Sequence, residues 1–193
     1  MSEEELIRGC LKHERNCQRV LFEMYAVAMT DVCIRYAKNQ QETKEILLSG
    51  FKNIFSGFKN IAEENTKRKK DSPSVTLGEW IKKEMVLSAV RHMHHNKREY
   101  FVSSTVSMRD AEKSSSEEIS DEKIMQFASK QAIIKALQQL TPSYRAVYNM
   151  HEVDGYNHAE ISKLLDISEY SSKDSLSKAK FNLRRNLTRM IPK

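Results

Sequence analysis

The chain has 193 residues, 39% of them hydrophobic and 30% charged, with five glycines and three prolines. That length suits one domain or two small ones, and so little Gly and Pro excludes an all-β sandwich or a low-complexity chain. The formal charge is +6; no apolar run reaches the roughly 18 residues of a membrane span, and the acidic opening Ser2-Glu3-Glu4-Glu5 does not fit a secretory signal, so the expectation is a cytoplasmic protein without membrane insertion.

In chain order the pattern is helical nearly everywhere. A short opening helix covers Leu6–Leu11. Leu21, Tyr25, Ala28, Met29, Val32, Cys33 and Tyr36 then recur at three- and four-residue steps, the apolar stripe of a long helix. Leu47, Phe51, Ile54, Phe55 and Phe58 mark a second stripe, and Leu77, Trp80, Ile81, Met85, Ser88, Ala89 and His92 a third. Between these two, Glu63–Pro73 holds the basic run Lys67-Arg68-Lys69-Lys70 without an apolar period and reads as a loop, solvated or in contact with phosphate. Cys10, Cys17 and Cys33 form no C-x-x-C pair and fall on apolar helical positions, which predicts buried reduced thiols; a redox role for Cys10 and Cys17 is the alternative. His92, His94 and His95 cluster without flanking Cys or carboxylate ligands, so no metal is expected.

The character changes over residues 99–123, where serines and carboxylates dominate, a composition for a flexible charged linker. Charge changes with it: residues 1–98 hold 18 Lys/Arg against 13 Asp/Glu, residues 99–123 hold 3 against 7, and residues 124–193 hold 11 against 6. Two basic helical domains, 1–98 and 124–193, are thus expected to flank an acidic spacer, and their charge favours a polyanionic partner.

After the spacer, Ile124, Phe127, Ala128, Ile133, Ile134, Leu137 and Leu140 build one helix. Thr141-Pro142 reads as an N-cap followed by proline at the first helical position, and Asp154-Gly155 as the stop of the helix that follows. A helix over His158–Leu165, a tight turn at Asp166-Ile167-Ser168 and a final helix from about Glu169 to Leu187 meet the requirements of a helix-turn-helix. Its last helix offers Ser171, Ser172, Lys173, Ser175, Lys178 and Lys180, small hydroxyls that suit base edges and ammonium groups that suit phosphates. Spacing alone leaves DNA binding and mere helical packing both open.

The stretch from Leu140-Thr141-Pro142-Ser143-Tyr144-Arg145 through Asp154-Gly155-Tyr156-Asn157-His158-Ala159-Glu160-Ile161 to Leu165-Asp166-Ile167-Ser168-Glu169 resembles region four of an extracytoplasmic-function (ECF) sigma factor, a branch of the sigma-70 family. Leu21-Phe22-Glu23-Met24-Tyr25-Ala26, Arg35-Tyr36-Ala37-Lys38-Asn39, Gly50-Phe51 and Ile54-Phe55 are similar to its region two, and Thr76-Leu77-Gly78-Glu79-Trp80-Ile81 to the start of its promoter-facing helix. The resemblance implies an all-α protein of two small helical domains on a flexible linker, the second a helix-turn-helix. It implies no enzyme, cofactor or small-molecule substrate; no Gly-rich phosphate loop, nucleophile elbow or H-E-x-x-H motif is present either.

As partners the resemblance implies core RNA polymerase, through its clamp and flap, promoter DNA, and an anti-sigma factor. It assigns the polymerase contact to Glu45, Leu48 and Phe51, and the minus-35 contact to the final helix. The minus-10 side falls to Trp80, Ser88, Arg91 and His92, together with His95, Asn96, Lys97 and Arg98, although by spacing alone Trp80 reads as a core residue of the apolar stripe and the Arg91–Arg98 end as a solvated face. Leu48, Leu87, Arg91, Tyr170, Ser175 and the long Glu63–Pro73 segment depart from the family pattern. The departures at Leu48, Leu87 and Arg91 define a second expectation, a sigma-like interaction module that binds polymerase or a regulator without opening promoters.

Overall fold

The computed structural model describes the backbone of residues 2–67, 75–95 and 128–190, and their side chains except at 60–67 and 94–95. Among the described residues there are helices and no strands. The chain divides into two compact units, Met1–His92 and Met93–Lys193.

The first unit opens with α1 (Glu3–Leu11), started by a capping box in which the Ser2 hydroxyl accepts from the Glu5 N–H and the Glu5 carboxylate accepts from the Ser2 N–H. Helix α2 (Arg15–Tyr36) buries Leu21, Met29, Val32, Cys33 and Tyr36 of the predicted stripe, while Ala28 faces solvent. Helix α3 (Gln40–Lys67) is longer than its apolar stripe. Glu63–Lys67, expected in a loop, is helical: it holds no Gly or Pro, and the helix already running through Ala62 continues across Asn65 and Thr66 to Lys67; Arg68–Pro73 lies outside the described residues.

A second reciprocal cap starts α4 (Leu77–His95): the Glu79 carboxylate accepts from the Thr76 N–H at 2.9 Å, and the Thr76 hydroxyl accepts from the Glu79 N–H. Contacts between α3 and α4 run in opposite numerical order: Glu42 with His92, Gly50 with Met85 and Phe58 with Trp80. The two helices therefore lie antiparallel. Gly50 permits the close approach, since a Cβ there would stand 2.2 Å from the Met85 sulfur. Burial on α4 spreads beyond the predicted stripe to Val86, Val90 and Met93.

All three cysteines are buried free thiols. Desolvation pushes Cys10 up to about 11 and Cys33 up to about 12, and raises Cys17 in the same sense. Protonated thiols of this kind are poor nucleophiles, so the packing role predicted for them holds.

In the second unit, α5 (Lys130–Gln138) does not continue back from residue 124 as a single helix. Ser129 is extended and its hydroxyl caps the Ala132 N–H, which fixes the start at Lys130; Ile124 and Phe127 lie outside the described residues. Thr141 and Pro142 open α6 (Pro142–Tyr148) as expected, although the Thr141 hydroxyl makes no cap bond to the backbone. One wider π turn, Asn149–Val153, extends it to Asp154, and Gly155 follows at φ 79°. Helix α7 (His158–Leu165) starts at an Asn157–Glu160 capping box and ends at left-handed Asp166. Helix α8 (Glu169–Thr188) starts at Ser168, whose hydroxyl accepts from the Ser171 N–H.

Ala136, Leu137 and Leu140 of the α5 segment pack with Ala179 and Leu183 of α8, with Tyr144, Tyr148, Leu187 and Met190 around them. Arg145 is buried in this unit, and its guanidinium donates to the Gln138 carbonyl at 3.0 Å, satisfying an acceptor that the end of α5 leaves open.

Candidate nucleic-acid interface

Helix α8 has two distinct sides. Ser172, Leu176, Ala179, Leu183 and Asn186 are its buried residues. At 100° per residue the opposite side falls on Tyr170, Lys173, Ser177, Phe181 and Arg184, an arc about 80° wide, and all five are exposed. This is the outer face of the second helix in a helix-turn-helix, the face that motif presents to a major groove.

Of the predicted contacts, Ser171 and Lys173 are exposed near the start of α8, and Ser175 is half-buried on its flank. Ser172 is a correction. It shares the inner stripe with Leu176 and Ala179, is 0% exposed, and its hydroxyl lies 2.9 Å from His158 Nδ1. A hydroxyl so placed ties α8 to α7 and cannot reach a base.

Lys178 and Lys180 both have carboxylates within the unit. Lys178 Nζ stands 2.7 Å from Asp174, whose hydrogen bond raises the ammonium above the usual lysine range. Lys180 Nζ stands 3.0 Å from Glu152 in the π turn, and its hydrogen bond is the first cause holding that carboxyl below its usual value. His151 also meets Glu152, at 2.8 Å, and its ring stacks on His158 with centroids 4.5 Å apart. Burial, and then the His151 charge, lower His158 from the ordinary histidine value. A polar chain thus runs from the π turn through α7 to the inner side of α8.

The sequence reading missed Tyr170, Ser177, Phe181 and Arg184 as a shared outer face. The signal lies in helical spacing: these positions stand opposite Leu176, Ala179 and Leu183, the apolar residues of the helix.

In the first unit the predicted minus-10 set divides. Trp80 is 1% exposed with its ring 5.4 Å from that of Phe58, and Ser88 is buried and accepts a hydrogen bond from Asn53 Nδ2 at 3.0 Å. Ser88 is a correction, and Trp80 takes the core place of the apolar stripe rather than the minus-10 one: both sit where α4 packs against α3, so neither meets solvent. His92 lies 3.3 Å from the buried Glu42 and fastens the end of α4 to the start of α3. Arg91 is exposed, 3.8 Å from Glu84. The backbone at His95 is helical, and its side chain lies outside the described residues together with Asn96, Lys97 and Arg98.

Among the predicted polymerase contacts, Glu45 is exposed and Leu48 is 66% exposed. Phe51 is also a correction, buried at 3% between Phe22 and Phe55, with ring centroids 4.7 and 6.0 Å away. It falls three residues from Leu48 but on the core side of α3. Among the described residues no group of His, Cys, Asp and Glu could hold a metal ion, and no helix is long and apolar enough to cross a membrane.

Residues 130–181 match the family model of sigma-70, region 4, a span that runs from the start of α5 into α8. Among solved structures, the chain is similar to the sigma factor RpoE in a co-crystal with the anti-sigma factor NepR from Bartonella quintana. Identity is 14%, the alignment covers 88% of this chain and 96% of that one, and the TM-score is 0.49. No curated protein sequence matches the chain.

Proposed function

We propose that this protein is a sigma factor of the ECF type: it binds core RNA polymerase and directs promoter recognition and transcription initiation. The observation that carries the reading is the open outer face of α8, set in a helix-turn-helix within the residues that match sigma-70 region 4. In this reading α8 enters the major groove of a minus-35 element. Ser171 and Lys173 meet DNA directly, and Ser175 reaches it from the flank. Lys178 and Lys180 exchange Asp174 and Glu152 for phosphates as the groove closes on them.

The first domain, residues 1–98, would dock on the polymerase clamp through Glu45 and Leu48, and the second would also touch the flap. The minus-10 side is carried by Arg91, His95, Asn96, Lys97 and Arg98, with His92 holding α4 in place. Residues 99–123 act as a tether, and polymerase sets the spacing of the two domains on the duplex. Two weak contacts then reinforce each other through effective concentration. An anti-sigma factor is a further partner, and the cytoplasm the site of action.

A second reading rests on the burial of Trp80 and Ser88. It removes two side chains from the minus-10 surface, as expected for an interaction module that binds polymerase or a regulator without opening promoters.

In vitro transcription with core polymerase and a genomic promoter library tests both, with permanganate footprinting for melted thymines. Defined transcripts that require this chain, and that are lost in Lys173→Ala, support the sigma factor. Stable core binding with neither transcript nor permanganate reactivity supports the module. Absence of core binding overturns the sigma factor and the polymerase-binding form of the module.

A further inference from the structure

We infer that Tyr170 is a specificity-determining residue that reads the 5-methyl group of a thymine in the DNA site, an inference that rests on the promoter-binding reading above. Tyr170 is the second residue of α8 and is 81% exposed. Several of its neighbours in the first two turns have partners within the unit, while Lys173 is exposed beside it. The Ser171 hydroxyl lies 2.8 Å from that of the capping Ser168, Ser172 is buried against His158, and Asp174 holds Lys178. The phenol ring is the large apolar side chain left exposed where a helix-turn-helix places side chains against base edges.

The ring is mostly apolar, whereas the major-groove edges of adenine, guanine and cytosine present only donors and acceptors. The thymine methyl is the one apolar group available there. Only against a methyl does the ring bury surface without stranding a base's polar atoms. Lys173 and Ser177 lie on the same outer arc as Tyr170, so a phosphate held by Lys173 would fix the register in which the ring meets the base edge.

The full chain bound to core polymerase is tested on duplexes recovered from a random pool, with each thymine replaced in turn by deoxyuridine. The expected result is one position where loss of the methyl weakens binding about fourfold, the effect of one buried methyl-sized group. Tyr170→Ala abolishes that difference and leaves preferences elsewhere, and the salt dependence, unchanged; Tyr170→Phe retains it. Equal binding of thymine and uracil at every position, or a difference that survives in Tyr170→Ala, overturns the inference while duplex binding persists. Absence of any salt-sensitive duplex binding overturns the promoter reading with it.

Discussion

Helices α4 and α8 were both expected to present side chains to DNA, and the structure treats them differently. On α8 the inner stripe is narrow, with Leu176, Ala179 and Leu183 at its centre, so the outer face stays open. On α4 burial takes in Trp80, Met85, Val86, Ala89, Val90 and Met93, which leaves little outer face. A polar or aromatic residue therefore means different things on the two helices. Ser88 and Trp80 are packing elements, whereas Lys173 and Tyr170 are available to a partner.

Substitutions can break or sharpen this contrast. The largest effect is expected at Trp80→Ala, which empties a fully buried site against Phe58 and costs about 3–5 kcal/mol by denaturant unfolding. A variant that keeps full stability but loses DNA binding would return Trp80 to the interface. In the second unit the buried residue to remove is Arg145. Arg145→Leu strands the Gln138 carbonyl and is expected to cost about 2–3 kcal/mol, read as a lower urea midpoint at unchanged m-value.

On the open face the same kind of change is expected to spare stability. Lys173→Ala shifts unfolding by no more than about 0.5 kcal/mol, yet lowers the slope of log affinity against log salt by about 0.9. Lys178→Ala, whose ammonium is already held by Asp174, lowers that slope less. Equal losses for the two would mean that the ion pair opens freely.

A pH titration separates the units further. His158 is held below the ordinary histidine value by burial and then by His151, so the unfolded chain takes up the proton first. The stability this contributes is complete above the unfolded value near 6.5 and is lost as pH falls through the lower folded one. A urea midpoint that falls with pH in the wild type, and falls less in His158→Gln, is the expected outcome. A gain in stability is expected at His13, left-handed at φ 59° after α1. His13→Gly relieves that conformation and raises stability by up to about 1 kcal/mol, a gain that should leave DNA binding untouched.

Much of the helical frame was legible because local signals agreed with one another. The Thr141-Pro142 start, the Gly155 stop and the Asp166–Ser168 turn each have a backbone reason that survives in any packing. The α8 stripe was legible too, yet Ser172 was assigned outward by its chemistry although its spacing from Leu176 and Ala179 put it inward. At Glu63–Lys67 the apolar period ends but the helix does not, because a helix already formed extends at little cost where no Gly or Pro stops it.

What the sequence by itself determined is the helical class, the basic–acidic–basic order and the helix-turn-helix, since periodicity, capping chemistry and charge are properties of neighbours along the chain. Only the tertiary structure decided how far burial spreads round each helix beyond its apolar stripe. The approach of α4 to α3 at Gly50, the burial of Trp80 and Phe51 and the link from His158 to Ser172 join residues far apart in sequence. Their burial is set by the helices that cover them, and no local pattern encodes that cover.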